Sequence, residues 1–129
     1  MILVTDDLSA SDSCRWNLEE PTPRNVARLL RRLDAQHHTV VALRADEDKQ
    51  LIIRGGAGQF VVCARDGASR LFDLIGASSA QASTATLNVG GTRELLPSDR
   101  ILDAQTALTC ALTYLYTAQR DPRFNWRQS

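Results

Sequence analysis

The chain has 129 residues, 43% of them hydrophobic and 23% charged, which suits one compact domain and excludes disordered or fibrous composition. Lysine plus arginine total 15 and aspartate plus glutamate total 15, so net charge offers no long-range attraction to nucleic acid or to an anionic membrane. Cys14, Cys63 and Cys110 are an odd, widely spaced set, as expected of a protein in a reducing cytoplasm. Neither a signal peptide nor an apolar run of roughly 18 residues is expected, so export and membrane spanning have no support.

Met1 to Thr5 reads as an added edge strand, and Asp6 to Cys14 is polar enough for a loop. Trp16-Asn17-Leu18-Glu19-Glu20 leads into Pro21-Thr22-Pro23, where Thr22 is the expected N-cap and Pro23 the first helical residue. Val26, Leu29, Leu30 and Leu33 recur at helical spacing while Arg24, Arg28, Arg31 and Arg32 take the other face, predicting an amphipathic helix over 23–35. Arginines opposite an apolar stripe read first as the solvated side of a packed helix.

Thr39 to Arg44 is rich in β-formers, and Asp46-Glu47-Asp48-Lys49 makes a charged turn. Gln50 to Arg65 then reads as the central β-hairpin: two apolar runs around a four-residue Gly55-Gly56-Ala57-Gly58 loop, wanting cover on both faces. A phosphate cradle is the competing reading of those glycines, but such motifs need a helix straight after the loop, and a β-rich run follows instead. Asp66-Gly67 turns the chain into a further antiparallel strand over 69–74, and Gly76 to Ser83 reads as a surface loop. Thr84 to Val89 is a strand that Gly90-Gly91 turns toward Arg93–Leu96, and Ser98 to Leu102 is a short strand or turn.

Asp103 is the expected N-cap of a second helix reaching about Ala118, with Ala107, Leu108, Ala111, Leu112 and Leu115 as its apolar stripe. Pro122 blocks its continuation. Phe124 and Trp126 in the tail over 119–129 are costly to leave in water and must dock. The expected architecture is a single α+β domain over 1–129: an antiparallel sheet of about five or six strands with two α-helices packed on it.

Catalytic chemistry has little to stand on. The cysteines lack zinc-ligand spacing, and the adjacent His37 and His38 would point to opposite faces of an extended segment. No serine sits in a nucleophile-elbow motif. The expectation is no catalytic residue, no metal and no cofactor. Trp16, Trp126, Tyr114, Tyr116 and the arginines are better suited to contact than to catalysis, although packing is the plainer reading of each tryptophan.

Taken in order, these landmarks resemble the Imm1 family of bacterial immunity proteins, which belongs to polymorphic toxin systems. The resemblance rests on Trp16, Leu18, Pro21-Thr22-Pro23 and the first helix, on the Leu51–Val62 hairpin with Gly55-Gly56, on Gly90-Gly91, Pro97 and the alanine-rich second helix, and on Arg120-Asp121-Pro122 with Trp126. Where the family often has a glycine after the second helix, this chain has Ala118; an aromatic often found in the strand after the hairpin would correspond to Phe72. The resemblance implies a non-enzymatic α+β domain that binds and blocks a toxin made by the same cell, often one of the deaminase superfamily, with no direct contact to nucleic acid or membrane.

Such a block needs an interface of about 1,600 Å² in total. A nucleic-acid-modifying toxin tends to carry a basic channel, so Asp46, Glu47 and Asp48 are the first candidates to contact it, Glu19 and Glu20 with Asp6 and Asp7 the second, and Tyr116 and Trp126 the aromatic ones. The alternative is a mainly aromatic and hydrogen-bonded contact. Two other classes stay open: a secretion chaperone or adaptor holding an extended segment at a strand edge, and a small-ligand-binding domain with a pocket near His37, His38 and the diglycine turns.

Overall fold

The structure is a computed structural model that describes residues 1–7, 14–34, 36–76, 84–89 and 92–128, with side chains described for 1–6, 17–34, 36–76 and 99–128. The strands are β1 (Ile2–Asp7), β2 (Cys14–Glu19), β3 (Val40–Asp46), β4 (Lys49–Gly56), β5 (Gln59–Asp66), β6 (Leu71–Ile75), β7 (Thr84–Val89), β8 (Thr92–Pro97) and β9 (Asn125–Gln128). The helices are α1 (Pro23–Arg32) and α2 (Ala104–Thr117), with a 3-10 turn at Ser98–Arg100. An antiparallel seven-stranded sheet runs β2-β1-β3-β4-β5-β6-β9, and β7 pairs with β8 in a separate hairpin.

The domain is therefore α+β as expected, with more strands than the five or six anticipated. The β4–β5 hairpin does lie at the sheet centre. Met1–Thr5 is not at the edge: β1 pairs with β2 on one side and β3 on the other, and β2, arising from the Trp16 stretch, takes the edge. The tail docks as a strand, because β9 pairs with β6 in the register Leu74↔Trp126.

Strand register decides which side chains share a face. Leu3, Leu43, Leu51, Ala64 and Phe72 sit opposite one another in one row, and Val41, Ile53 and Val62 in the next row on the same face. Val26, Leu29, Leu30 and Leu33 of the first helix and Ala107, Ala111 and Tyr114 of the second close the core over this face. The reverse face is only partly covered: Ile52, Val61 and Cys63 are half-buried, so the hairpin is fully covered on one side rather than on both.

Local chemistry sets the element ends. Thr22 Oγ1 accepts from the Asn25 backbone N–H while Asn25 Oδ1 accepts from the Thr22 N–H, a reciprocal cap at the start of α1 with Pro23 behind it. The helix stops at Arg32, short of the expected residue 35, where Leu33 turns extended. The central hairpin turns more tightly than a four-residue loop. Gly56 pairs with Gln59, leaving Ala57 and Gly58 as a two-residue turn with φ of 53° and 85°. Gly55 is needed for another reason: a Cβ there would meet Gln59 O at 2.3 Å.

Asp103 caps α2 by accepting from the Thr106 N–H at 2.8 Å. The helix is rotated from the expected stripe. Ala107, Cys110, Ala111 and Tyr114 are buried, whereas Leu108, Leu112 and Leu115 remain half-buried. Tyr114 faces the sheet in place of the leucines. The β7–β8 pairing agrees with the expected strand and return; Gly90-Gly91 and 77–83 lie outside the described residues.

Candidate functional site

The order of strands brings acidic residues from distant parts of the chain to one end of the sheet. Ile2 pairs with Glu19 on one side and with Arg44 on the other, so Glu19 and Arg44, two residues before the β3–β4 turn, are separated by two strand spacings, roughly 10 Å. The Asp46 carboxylate accepts from the Glu47 N–H at 2.7 Å, and the Asp48 carbonyl accepts from Gly67 N–H at 2.8 Å. The first bond shapes the turn locally and the second ties it to the neighbouring β5–β6 turn. Glu20 sits at φ 49° with its N–H bonded to Met1 O at 3.1 Å, which holds the start of α1 at the same end.

Glu19, Glu20, Asp46, Glu47 and Asp48 are all exposed, and none forms an ion pair among the described residues. First and second acidic candidates thus share one rim. Asp6 does not belong to it. It is 4% exposed, and its carboxylate accepts from the Thr39 N–H at 2.8 Å, the Thr39 hydroxyl at 2.6 Å and the Val40 N–H at 3.1 Å. A buried carboxylate so engaged holds β1 to β3 and is out of a partner's reach. The Asp7 side chain lies outside the described residues.

The aromatic candidates separate. Tyr116, on the last turn of α2, is 73% exposed. Trp126 is half-buried against the core, and its indole N–H donates to Asp121 O at 2.9 Å, the anchored packing role that was the plainer reading. The Trp16 side chain lies outside the described residues.

Sequence reasoning missed the hub that Arg120 and Asp121 form around the tail. Asp121 is 1% exposed; it accepts from Thr113 Oγ1 at 2.9 Å and from the Arg123 guanidinium at 2.6 and 2.9 Å. That guanidinium, working against desolvation, holds its carboxyl down at about 2. A charged residue beside a proline in a tail gives no warning of burial. Only the folding back of the tail, with Thr113 of α2, Arg123 and Trp126 around it, makes Asp121 an interior group.

The histidines diverge. His37 Nδ1 lies 3.9 Å from Asp34, while His38 Nδ1 contacts Asp6 O at 3.1 Å and its Nε2 contacts Arg32 at 3.3 Å. Desolvation pulls the Asp34 carboxyl up, but N–H bonds from His38, Gln36 and His37 outweigh it and hold it at about 2. Burial pushes the Cys63 thiol up and the Cys110 thiol up to about 12, so neither is a ready thiolate near neutrality.

An apolar groove of about 330 Å³ runs between α1, α2 and the tip of the central hairpin, walled by Leu30, Leu33, Phe60, Ala107 and Leu108 with Arg31 at its lip. A polar hollow of about 360 Å³ is lined by Gln119, Arg120, Pro122, Phe124 and Trp126. Among the described residues no helix is long and apolar enough to cross a membrane.

Comparison with curated proteins gives no match. A family model does match, the one described as immunity protein Imm1, and it takes in residues 16–128. That span runs from within β2 to the end of β9. It covers both helices, the central hairpin and the Arg120-Asp121 hub that ties the tail down, and on that extent the chain belongs to the Imm1 family of immunity proteins.

Proposed function

We propose that this immunity protein binds a cognate toxin domain in the cytoplasm and neutralises it by covering its active site or substrate channel, and that the toxin is a nucleic-acid-modifying enzyme of the deaminase superfamily. The observation that supports an acidic contact is that Asp46, Glu47, Asp48, Glu19 and Glu20 are exposed toward one end of the sheet with no ion pair among the described residues. A channel that binds a phosphate backbone is basic, and carboxylates held on a rigid turn occupy the positions phosphates would take. Tyr116, exposed on the last turn of α2, supplies a large apolar contact at low entropic cost. The protein itself carries out no turnover in this reading: it excludes substrate by bulk and charge.

Coexpression tests the proposal. The toxin domain encoded by the adjacent reading frame is expressed with and without this chain, and growth, complex formation and deamination of a nucleic-acid substrate are measured. Rescue of growth with a stable complex and suppressed deamination is the expected result. Continued killing, or rescue without complex formation, would remove the binding mechanism; rescue from a toxin that does not deaminate would remove the toxin class alone.

A further inference from the structure

The helical layer has an outer surface that its own packing does not explain. In α1, Arg24, Arg28 and Arg31 recur at i, i+4 and i+7, so they form one stripe. All three are exposed, and none has an ion pair among the described residues. Across the groove stands α2, whose sequence AQTALTCALTYLYT contains no charged residue. A helix lying on a protein surface ordinarily turns charges to water, and one that is apolar or uncharged all round is ordinarily covered. Here Leu108, Leu112 and Leu115 are half-buried and Tyr116 is 73% exposed.

Between the two helices lies the apolar groove of about 330 Å³, with Leu30, Phe60, Ala107 and Leu108 in its walls and Arg31 at the lip. The surface is thus apolar in the middle, aromatic at one end and cationic along one side. The groove opens at the tip of the central hairpin, the end of the sheet opposite the β3–β4 turn, and the arginine stripe runs along α1 from Arg24 toward it. At the end of the sheet the two signs are mixed, with Arg44, Lys49, Arg65 and Arg70 among the carboxylates, whereas α1 carries arginines and no acid.

Resting on the function proposed above, we infer that this helical face is the anchoring surface for the toxin domain, receiving an acidic, amphipathic segment of it. The segment's apolar side chains enter the α1–α2 groove, and its carboxylates face Arg24, Arg28 and Arg31. An oligonucleotide would satisfy the arginines but leave the groove unfilled, whereas an acidic apolar segment satisfies both. The stripe lies along one side of the groove, so a reversed approach would turn the segment's carboxylates away from the arginines.

The test uses the full chain and the toxin domain from the adjacent reading frame, with binding measured by calorimetry or surface kinetics. One variant combines Arg24→Glu, Arg28→Glu and Arg31→Glu, all at exposed sites; a second, Ala27→Phe, fills the groove from its α1 wall; Arg127→Glu, an exposed arginine on β9, is the control. The expected result is affinity weakened about 10-fold or more by the triple variant and by the groove filler, with the control unchanged. If Ala27→Phe does not fold, the triple variant decides alone. Affinity within about twofold of the parent for the triple variant overturns the inference while leaving the proposed function standing. A parent chain that does not bind the toxin overturns both. Loss of self-association in sedimentation, or of binding to an oligonucleotide, with toxin binding intact would assign the face to a different occupant and overturn the inference.

Discussion

Arg120 Nε donates to Asp66 Oδ2 at 3.0 Å, joining the segment after α2 to the end of β5, 54 residues earlier. The same guanidinium lies 3.6 Å from the Phe72 ring centroid and 5.9 Å from that of Trp126. Charge pairing and ring stacking therefore share one side chain. Arg120→Ala is expected to cost about 1–3 kcal/mol in urea unfolding, since it removes both contacts and strands Asp66. Arg120→Lys should recover only part of the loss, because an ammonium cannot lie flat on a ring and donate sideways at once.

Asp121 sets an acid limit on stability. Its folded carboxyl, held at about 2 by the Arg123 guanidinium against desolvation, lies below the ordinary unfolded value near 3.8. The charged form is the one folding favours, so the contribution is complete above the unfolded value and disappears as pH falls through the folded one. Asp34 titrates in the same direction. Thermal melts from pH 7 to pH 2 should lose midpoint mainly below about pH 4. Asp121→Asn should cost on the order of 2 kcal/mol at neutral pH and flatten, without abolishing, that acid limb.

Ala118 ends α2 at φ 54° and ψ 29°, donating its N–H to Tyr114 O at 2.8 Å. A left-handed conformation at a helix end favours glycine, which has no Cβ to crowd the carbonyl. Ala118→Gly should stabilise the domain by roughly 0.5–1 kcal/mol in equilibrium unfolding. The cap geometry offsets the greater unfolded-state freedom of glycine, and no change in toxin binding is expected.

Charge reversal at the rim separates association from stability. Asp46→Lys with Asp48→Lys should slow association with the toxin in low salt, with the difference shrinking as salt is raised, because steering by exposed charge is screened over about 10 Å at 0.1 M. Tyr116→Ala should instead speed dissociation, weakening the complex by about 1–2 kcal/mol. Melting temperatures should move little for either variant. Unchanged kinetics for both would remove the rim and Tyr116 from the interface.

Some features were legible because a residue type has one local use. Thr22 before Pro23, Asp103 before an apolar run, and Val26, Leu29, Leu30 and Leu33 at helical spacing specify helix starts and a buried face within a few residues of chain. Other features depended on competition. The leucine stripe expected of α2 lost to Cys110 and Tyr114, which enter the core with Ala107 and Ala111 while Leu108, Leu112 and Leu115 stay half-buried, a rotation set by packing on the sheet and not by helical spacing alone. Asp6 looked like a surface acid because it opens a polar stretch; the strand pairing of β1 with β3 turned it inward onto Thr39.

Capping chemistry, hydrophobic period and turn residues act over a handful of neighbours, so the sequence by itself determined two helices, the central hairpin and an α+β domain. Which acids meet at one rim, which leucines stay uncovered and where the tail ends were decided by tertiary structure. Strand order brings residues 19 and 44 into one row across Ile2 of β1, and no local pattern encodes a neighbour that arrives from the far side of a sheet.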